Sequence, residues 1–310
     1  MKRTSIALAA GAVIAAVAFA AAALAAAAPE AAASSFEREN TEWRAWRRER
    51  LTSETGWVSL IGLHWLREGD NLLGSAPEAR LALPVDRAPA TLGVLRLIAG
   101  EVTLIPEPGS GLTADGESAT APILLGTDAD EETTQLGFGS LDMYVIERGE
   151  RLGLRVRDAE AKLRKEFPGL DYFRADPAYR VEARFAPNPP GSTVKVVDVL
   201  GMVGDIPSPG RVEFELLGST YSLTALDDTG DGRLFLIVGD RTNGYDTYGA
   251  GRYLYAAAPV DGTTVVDFNR LYNPPCAFTA FSTCPLPPKV NKLPLRIEAG
   301  EKKFDLEAHP

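Results

Sequence analysis

Leu141-Asp142-Met143-Tyr144-Val145-Ile146, then Glu147-Arg148-Gly149-Glu150-Arg151, then Leu152-Gly153-Leu154-Arg155-Val156 is the stretch whose reading decides the fold. Two short apolar runs are separated by charged residues and one glycine, which reads as a β-hairpin. The same pattern repeats on both sides. Residues 92–98 and 101–105 flank the turn residues Ala99-Gly100, and 212–217 and 221–226 flank Gly218-Ser219-Thr220. Stretches 179–185 and 194–199 alternate apolar with polar residues, and 234–238, 253–255, 263–268 and 293–297 complete the series. Strands this closely spaced, punctuated by Gly and Pro, predict a mainly β chain: an antiparallel sandwich or barrel, in one β domain or two β subdomains. The loop 106–120, rich in Gly and small residues, marks a candidate boundary near 106–135 inside a β-rich domain spanning 55–310.

Upstream the period changes. Phe36, Trp43 and Trp46 recur at helical spacing, and Arg44, Arg47, Arg48 and Arg50 fill the other positions. This predicts one N-terminal helix within 34–54, with an apolar face that packs on the domain or a basic face that docks on anionic lipid. A second, short helix is expected over 158–167. Residues 1–33 are different again. Lys2 and Arg3 precede an uncharged run of Ala, Val, Leu, Ile, Phe and one Gly that ends in small residues. That is the layout of a secretory signal peptide, which places the mature protein in the periplasm or outside the cell. The alternative is an uncleaved membrane anchor, since about 20 apolar residues can span a bilayer. After signal cleavage no membrane span is expected.

Composition narrows the classes of function. Of 310 residues, 45% are hydrophobic and 24% charged, which suits a folded core and excludes a disordered chain. A formal charge of −10 argues against nucleic acid as a partner. With 2 Cys and 2 His, a Cys- or His-rich zinc module is excluded, and no metal site or cofactor is expected. Asp227-Asp228-Thr229-Gly230-Asp231-Gly232 resembles part of a calcium loop, but the twelfth position is Val238 and strands flank it, so it reads as a hairpin turn. No Gly-x-Ser-x-Gly elbow occurs.

The densest chemistry runs from Asp267-Phe268-Asn269 through Asn273-Pro274-Pro275-Cys276 to Cys284-Pro285-Leu286-Pro287. Prolines stiffen this loop after a strand, the kind of place where rigid scaffolds carry binding groups. Gly249-Ala250-Gly251 thins the backbone beside Tyr248 and Arg252. Tyr248, Arg252, Asp267, Asn269 and Asn273 are therefore the candidate ligand-binding residues. The guanidinium fork suits a small polar or anionic molecule, although Arg252 and Asp267 could equally form a structural ion pair. Cys276 and Cys284, eight residues apart, are expected to form a disulfide after export. Ligation of a metal by both thiolates and His64 is the less favoured reading. His64 sits in the apolar run Ile61-Gly62-Leu63-His64-Trp65-Leu66 and is the weak candidate for a catalytic residue. Two functions stay open: a binding protein on a β scaffold, and a hydrolase using His64 with carboxylates. Oligomeric state is not legible.

Three phrases also resemble a known family. They are Gly56-Trp57-Val58-Ser59-Leu60-Ile61-Gly62-Leu63-His64-Trp65-Leu66, then Thr247-Tyr248-Gly249-Ala250-Gly251-Arg252-Tyr253-Leu254, and the long motif from Asp267 to Pro287. Together they are similar to the domain-of-unknown-function family 1684, across about 57–301. The resemblance brings no established activity or catalytic residues. It implies that some relatives carry the paired Cys without an export signal, which weakens a disulfide as the whole account of Cys276 and Cys284.

Overall fold

Alternation along the 141–158 hairpin sets the architecture. The structure, a computed structural model, describes residues 34–306; the expected signal peptide over 1–33 lies outside them. Strand Leu141–Arg148 pairs antiparallel with Arg151–Asp158, with Arg148 opposite Arg151. The turn is therefore Gly149-Glu150 alone, two residues where the sequence suggested five. Charged side chains at the solvent end of a ladder lose little hydration, so pairing runs through Glu147 and Arg148. Leu141, Met143, Val145, Leu152, Leu154 and Val156 all face one core. Period-two geometry then turns Tyr144, Arg155 and Arg157 to the opposite face.

The sheet containing this hairpin runs from Leu60–Trp65 through Arg151–Asp158, Leu141–Arg148, Leu136–Phe138 and Thr113–Ala114 to Glu117–Ser118. A second sheet orders Leu81–Ala82, Gly69–Gly74, Gly93–Ile98, Glu101–Pro106 and Ile123–Leu125. The two share one core, in which Leu73, Leu95 and Leu104 of the second meet Met143 and Leu154 of the first. Residues 106–135 add Leu112, Ala114, Ala119 and Leu125 to that same core. Between the described strands the ladders are antiparallel, except for Gly69–Gly74 with Leu81–Ala82.

A second core follows Asp158. Strands Ser219–Ala225, Gly210–Leu216, Arg180–Pro187 and Thr263–Asp267 form a four-stranded sheet, and Leu234–Val238 pairs with Arg252–Ala256. Leu234, Leu236, Val238 and Leu254 join Phe214, Val266 and Phe268 in this core. On the other side of the same pair, Phe235, Ile237 and Tyr253 pack with Val196 and Cys284. Leu234–Val238 is thus covered on both faces, which is why it reads Leu-Phe-Leu-Ile-Val without polar interruption. Each such side chain, fully buried, contributes about 1.5–3 kcal/mol.

The fold is mainly β with sandwich-like antiparallel sheets and one N-terminal helix; no barrel closes. The tight turn at Ala99-Gly100 has φ of 51° and 87°, as a two-residue hairpin of the primed type requires. At the 210–225 hairpin Leu216 pairs with Ser219, so the turn is Leu217-Gly218, earlier than the sequence suggested. Gly218, with φ of 78°, can occupy the second turn position without strain and fixes the register there.

The N-terminal helix covers 34–52, and the short helix expected over 158–167 is one turn, Lys162–Lys165. Within the helix the expected faces are partly exchanged. Trp46 is 53% exposed, whereas Arg47 is buried. Arg47 can turn inward because Glu301 neutralises it, at 2.9 Å. Leu51, near the helix end, packs with Val58, Phe167 and Phe278. Among the described residues no helix is long and apolar enough to cross a membrane.

Candidate functional site

The polar faces left over by the two cores meet at a cleft of about 490 Å3. One wall is the outer face of the first sheet with the adjoining 3-10 turn, bringing Trp57, Arg148 and Arg155. The other is the outer face of the Leu234–Val238 and Arg252–Ala256 pair, bringing Phe235, Tyr253 and Tyr255. Arg47, Tyr272 and Asn273 line it as well, and Ser282 to Pro285 complete it.

Arg155 is the unusual member. It is 3% exposed, and its Nη1 donates to the Tyr144 hydroxyl at 3.1 Å. Its guanidinium lies 5.4 Å from the Trp57 ring centroid and 5.7 Å from that of Tyr144. Its Nε has no hydrogen-bond partner. No described carboxylate lies within ion-pair distance of it. The other two arginines are matched: Arg47 by Glu301, and Arg148 by Asp128 at 2.8 Å. Arg47 also stacks 4.6 Å from the Tyr272 centroid, and Arg148 donates to Thr283 Oγ1 at 3.0 Å. A chain of net charge −10 has concentrated three cations around one cleft, and among the described residues its one acidic lining residue is Asp228. Asp228 accepts from the Tyr255 hydroxyl at 2.5 Å, and burial raises its pKa.

Cys276 and Cys284 meet at the edge of this cleft, with Cys284 in its lining. The expected disulfide is not formed: both are free thiols, held at hydrogen-bonding rather than bonding distance. The Cys276 backbone N–H donates to Cys284 Sγ at 3.1 Å, and the Ser282 hydroxyl lies 3.4 Å from the same sulfur. Hydrogen bonding from the Cys276 thiol is the main force pulling the Cys284 pKa down, to about 7, against the opposing effect of burial. As the donor in that contact, and because it is itself buried, Cys276 is pushed up and stays a thiol. The Tyr253 hydroxyl donates to the Pro285 carbonyl at 2.8 Å, so its single proton is spent on backbone.

Of the sequence-derived candidates, Asn273 lines this cleft. Its side-chain amide donates to the Lys302 carbonyl at 2.7 Å and its backbone N–H to Glu301 Oε2 at 2.7 Å. Arg252 is fully buried elsewhere, paired with Asp240 at 2.9 Å and donating to the carbonyls of Ile297 and Ala299. Asp267 and Asn269 bind each other at 2.9 Å, and Asn269 closes two further bonds with the Asp176 backbone. The Tyr248 hydroxyl donates to the Cys276 carbonyl at 2.9 Å. Gly249, Ala250 and Gly251 line a separate cavity of about 410 Å3 with Asp240 and Asn243. His64 lies on Leu60–Trp65 opposite Leu154, half-buried. Burial lowers its pKa, partly offset by a hydrogen bond to the Ala82 backbone. Among the described residues no serine or carboxylate hydrogen-bonds to it, and no cluster of three or more His, Cys, Asp or Glu could hold a metal.

Arg155, Arg47 and Trp57 were not identifiable as site residues from the sequence. On an alternating strand Arg155 has the pattern of a solvent-facing residue, and nothing local announces that a second lobe covers it.

Comparison with known proteins adds the family. The model described as Protein of unknown function (DUF1684) matches residues 165–302. The solution NMR structure of an uncharacterized protein from Haloarcula marismortui is 32% identical, covering 45% of this chain and 78% of that one, with a TM-score of 0.38. A structure from work on phosphothreonine-dependent FHA domain interactions is 17% identical, covers 31% of this chain and 92% of that one, and has a TM-score of 0.22. At those TM-scores neither structure bears on the fold. No curated protein matches. The matched segment carries the tyrosine and cysteine wall of the cleft, while Arg47, Trp57, Arg148 and Arg155 come from outside it. The motif from Asp267 to Pro287 lies within that segment, and the chain belongs to the DUF1684 family.

Proposed function

We propose that this protein is exported and binds a small anionic molecule in the cleft between its two β cores. The observation that carries the reading is Arg155: a guanidinium 3% exposed, lining a cavity, with no carboxylate partner among the described residues. A buried charge without a counter-ion costs several kcal/mol, and a bound anion offsets that cost directly. Trp57, Tyr253, Tyr255 and Tyr272 favour a ligand with a flat apolar part as well as its charge. The volume of about 490 Å3 is in the range of small-molecule sites.

Calorimetry with benzoate, its neutral analogue benzamide, and inorganic phosphate tests this. Benzoate, phosphate or both bind saturably at one site per chain, benzamide does not, and Arg155→Met removes the binding. Failure of both anions, or binding that Arg155→Met leaves intact, overturns it.

A further inference from the structure

We propose that Cys284 and Cys276 form a working dithiol, which exchanges with a small carboxylate-bearing disulfide held in the cleft. The inference rests on the anion-binding reading for its substrate class, but the thiol geometry supports it independently. Cys284 Sγ receives the Cys276 backbone N–H at 3.1 Å and has the Ser282 hydroxyl at 3.4 Å. The backbone donor favours sulfur as the thiolate, the form that attacks, whereas toward the Ser282 hydroxyl the thiol is itself the donor. Cys284, 4% exposed, belongs to the lining of the cleft that Arg155 also lines. Cys276 lies against it, protonated, in position to act second.

The step balances. The Cys284 thiolate attacks one sulfur of the bound disulfide; a new S–S bond forms, the old one breaks, and one small thiolate leaves. The Cys276 thiol then loses its proton to the released thiolate and attacks Cys284. The second small thiolate leaves and takes a proton from water. Two protein thiols are oxidised to one disulfide, and the small disulfide is reduced to two thiols. A shift of the loop closes the gap between hydrogen-bonding and bonding distance. The structure holds the reduced state.

The probe is 5,5′-dithiobis(2-nitrobenzoate), an aromatic disulfide with two carboxylates, compared with neutral 2,2′-dithiodipyridine, on the folded full chain. The wild-type protein releases about two equivalents of thionitrobenzoate and retains none, because the second thiol resolves the first. Cys276→Ser releases about one equivalent and keeps one aryl thiol on Cys284, located by mass spectrometry. Cys284→Ser slows the first release by about tenfold or more. Retention of aryl thiol on both cysteines, or an unchanged rate in Cys284→Ser, overturns the dithiol. Arg155→Met reports separately on the anion site. It slows the anionic reagent about tenfold while changing the neutral one less than about twofold. Equal effects on both reagents reject the anionic substrate and leave the dithiol standing.

Discussion

Arg155→Met tests the cleft without any ligand, because the two roles open to Arg155 predict opposite signs. If it is a structural residue, its loss destabilises. If it is a cation held in place for an absent anion, its loss removes a burden. The losses are modest: one hydrogen bond to Tyr144, about 1 kcal/mol net, and two ring contacts at 5.4 and 5.7 Å, about 0.5–1 kcal/mol each. The Tyr144 hydroxyl is not orphaned, since Arg157 Nη2 donates to it at 3.0 Å. Against this stands a buried guanidinium with no carboxylate partner among the described residues, whose effective desolvation costs several kcal/mol. The balance is a variant as stable as the wild type or more stable by about 1–2 kcal/mol. At about 2–4 °C per kcal/mol, calorimetry in a low-anion buffer shows Tm unchanged or raised by up to about 8 °C. Arg47→Met is the control with the opposite sign. It strands the buried Glu301 carboxylate and costs about 3–5 kcal/mol. A fall of more than about 2 kcal/mol in Arg155→Met, comparable to Arg47→Met, would refute the reasoning.

Arg252→Leu strands Asp240 and two carbonyls, so it loses about 3–5 kcal/mol, read as a lower urea midpoint; a neutral effect would show that Arg252 is not structural. Iodoacetamide reacts with Cys284 only as the thiolate, so its alkylation rate rises with pH through a midpoint of about 7; a midpoint at the ordinary thiol value, well above that, contradicts the hydrogen-bonded thiolate. Mass spectrometry of protein from the native host finds the mature chain beginning between about Ala26 and Ser34; an intact N-terminus on cytoplasmic protein ends the export proposal.

The β class was legible because alternation and turn chemistry are local. Ala99-Gly100 announces its hairpin within two residues, and 141–156 shows both strands of another. Site composition was not local. The loop Asp267 to Pro287 stands out in the sequence as a polar, proline-stiffened part of the chain, and Asn273 and Cys284 from it line the cleft. Asp267 and Asn269 instead close hydrogen bonds within and beside their own turn, as short polar side chains often do. Arg252 and Arg155 are both mid-sequence arginines among apolar neighbours. Only the packing reveals that Asp240, twelve residues before Arg252, neutralises the first. The exchange of roles between Trp46 and Arg47 has the same origin: Glu301 is 254 residues away from Arg47.

Because the cleft is shared between faces backed by different cores, it exists only while both are folded. A bound ligand therefore stabilises neither lobe alone. It adds its binding free energy, about 2.7 kcal/mol at a hundredfold excess over Kd, to the state in which both are intact. Partial unfolding of either core opens the cleft and releases the ligand, so an occupied cleft disfavours every intermediate in which only one core is intact.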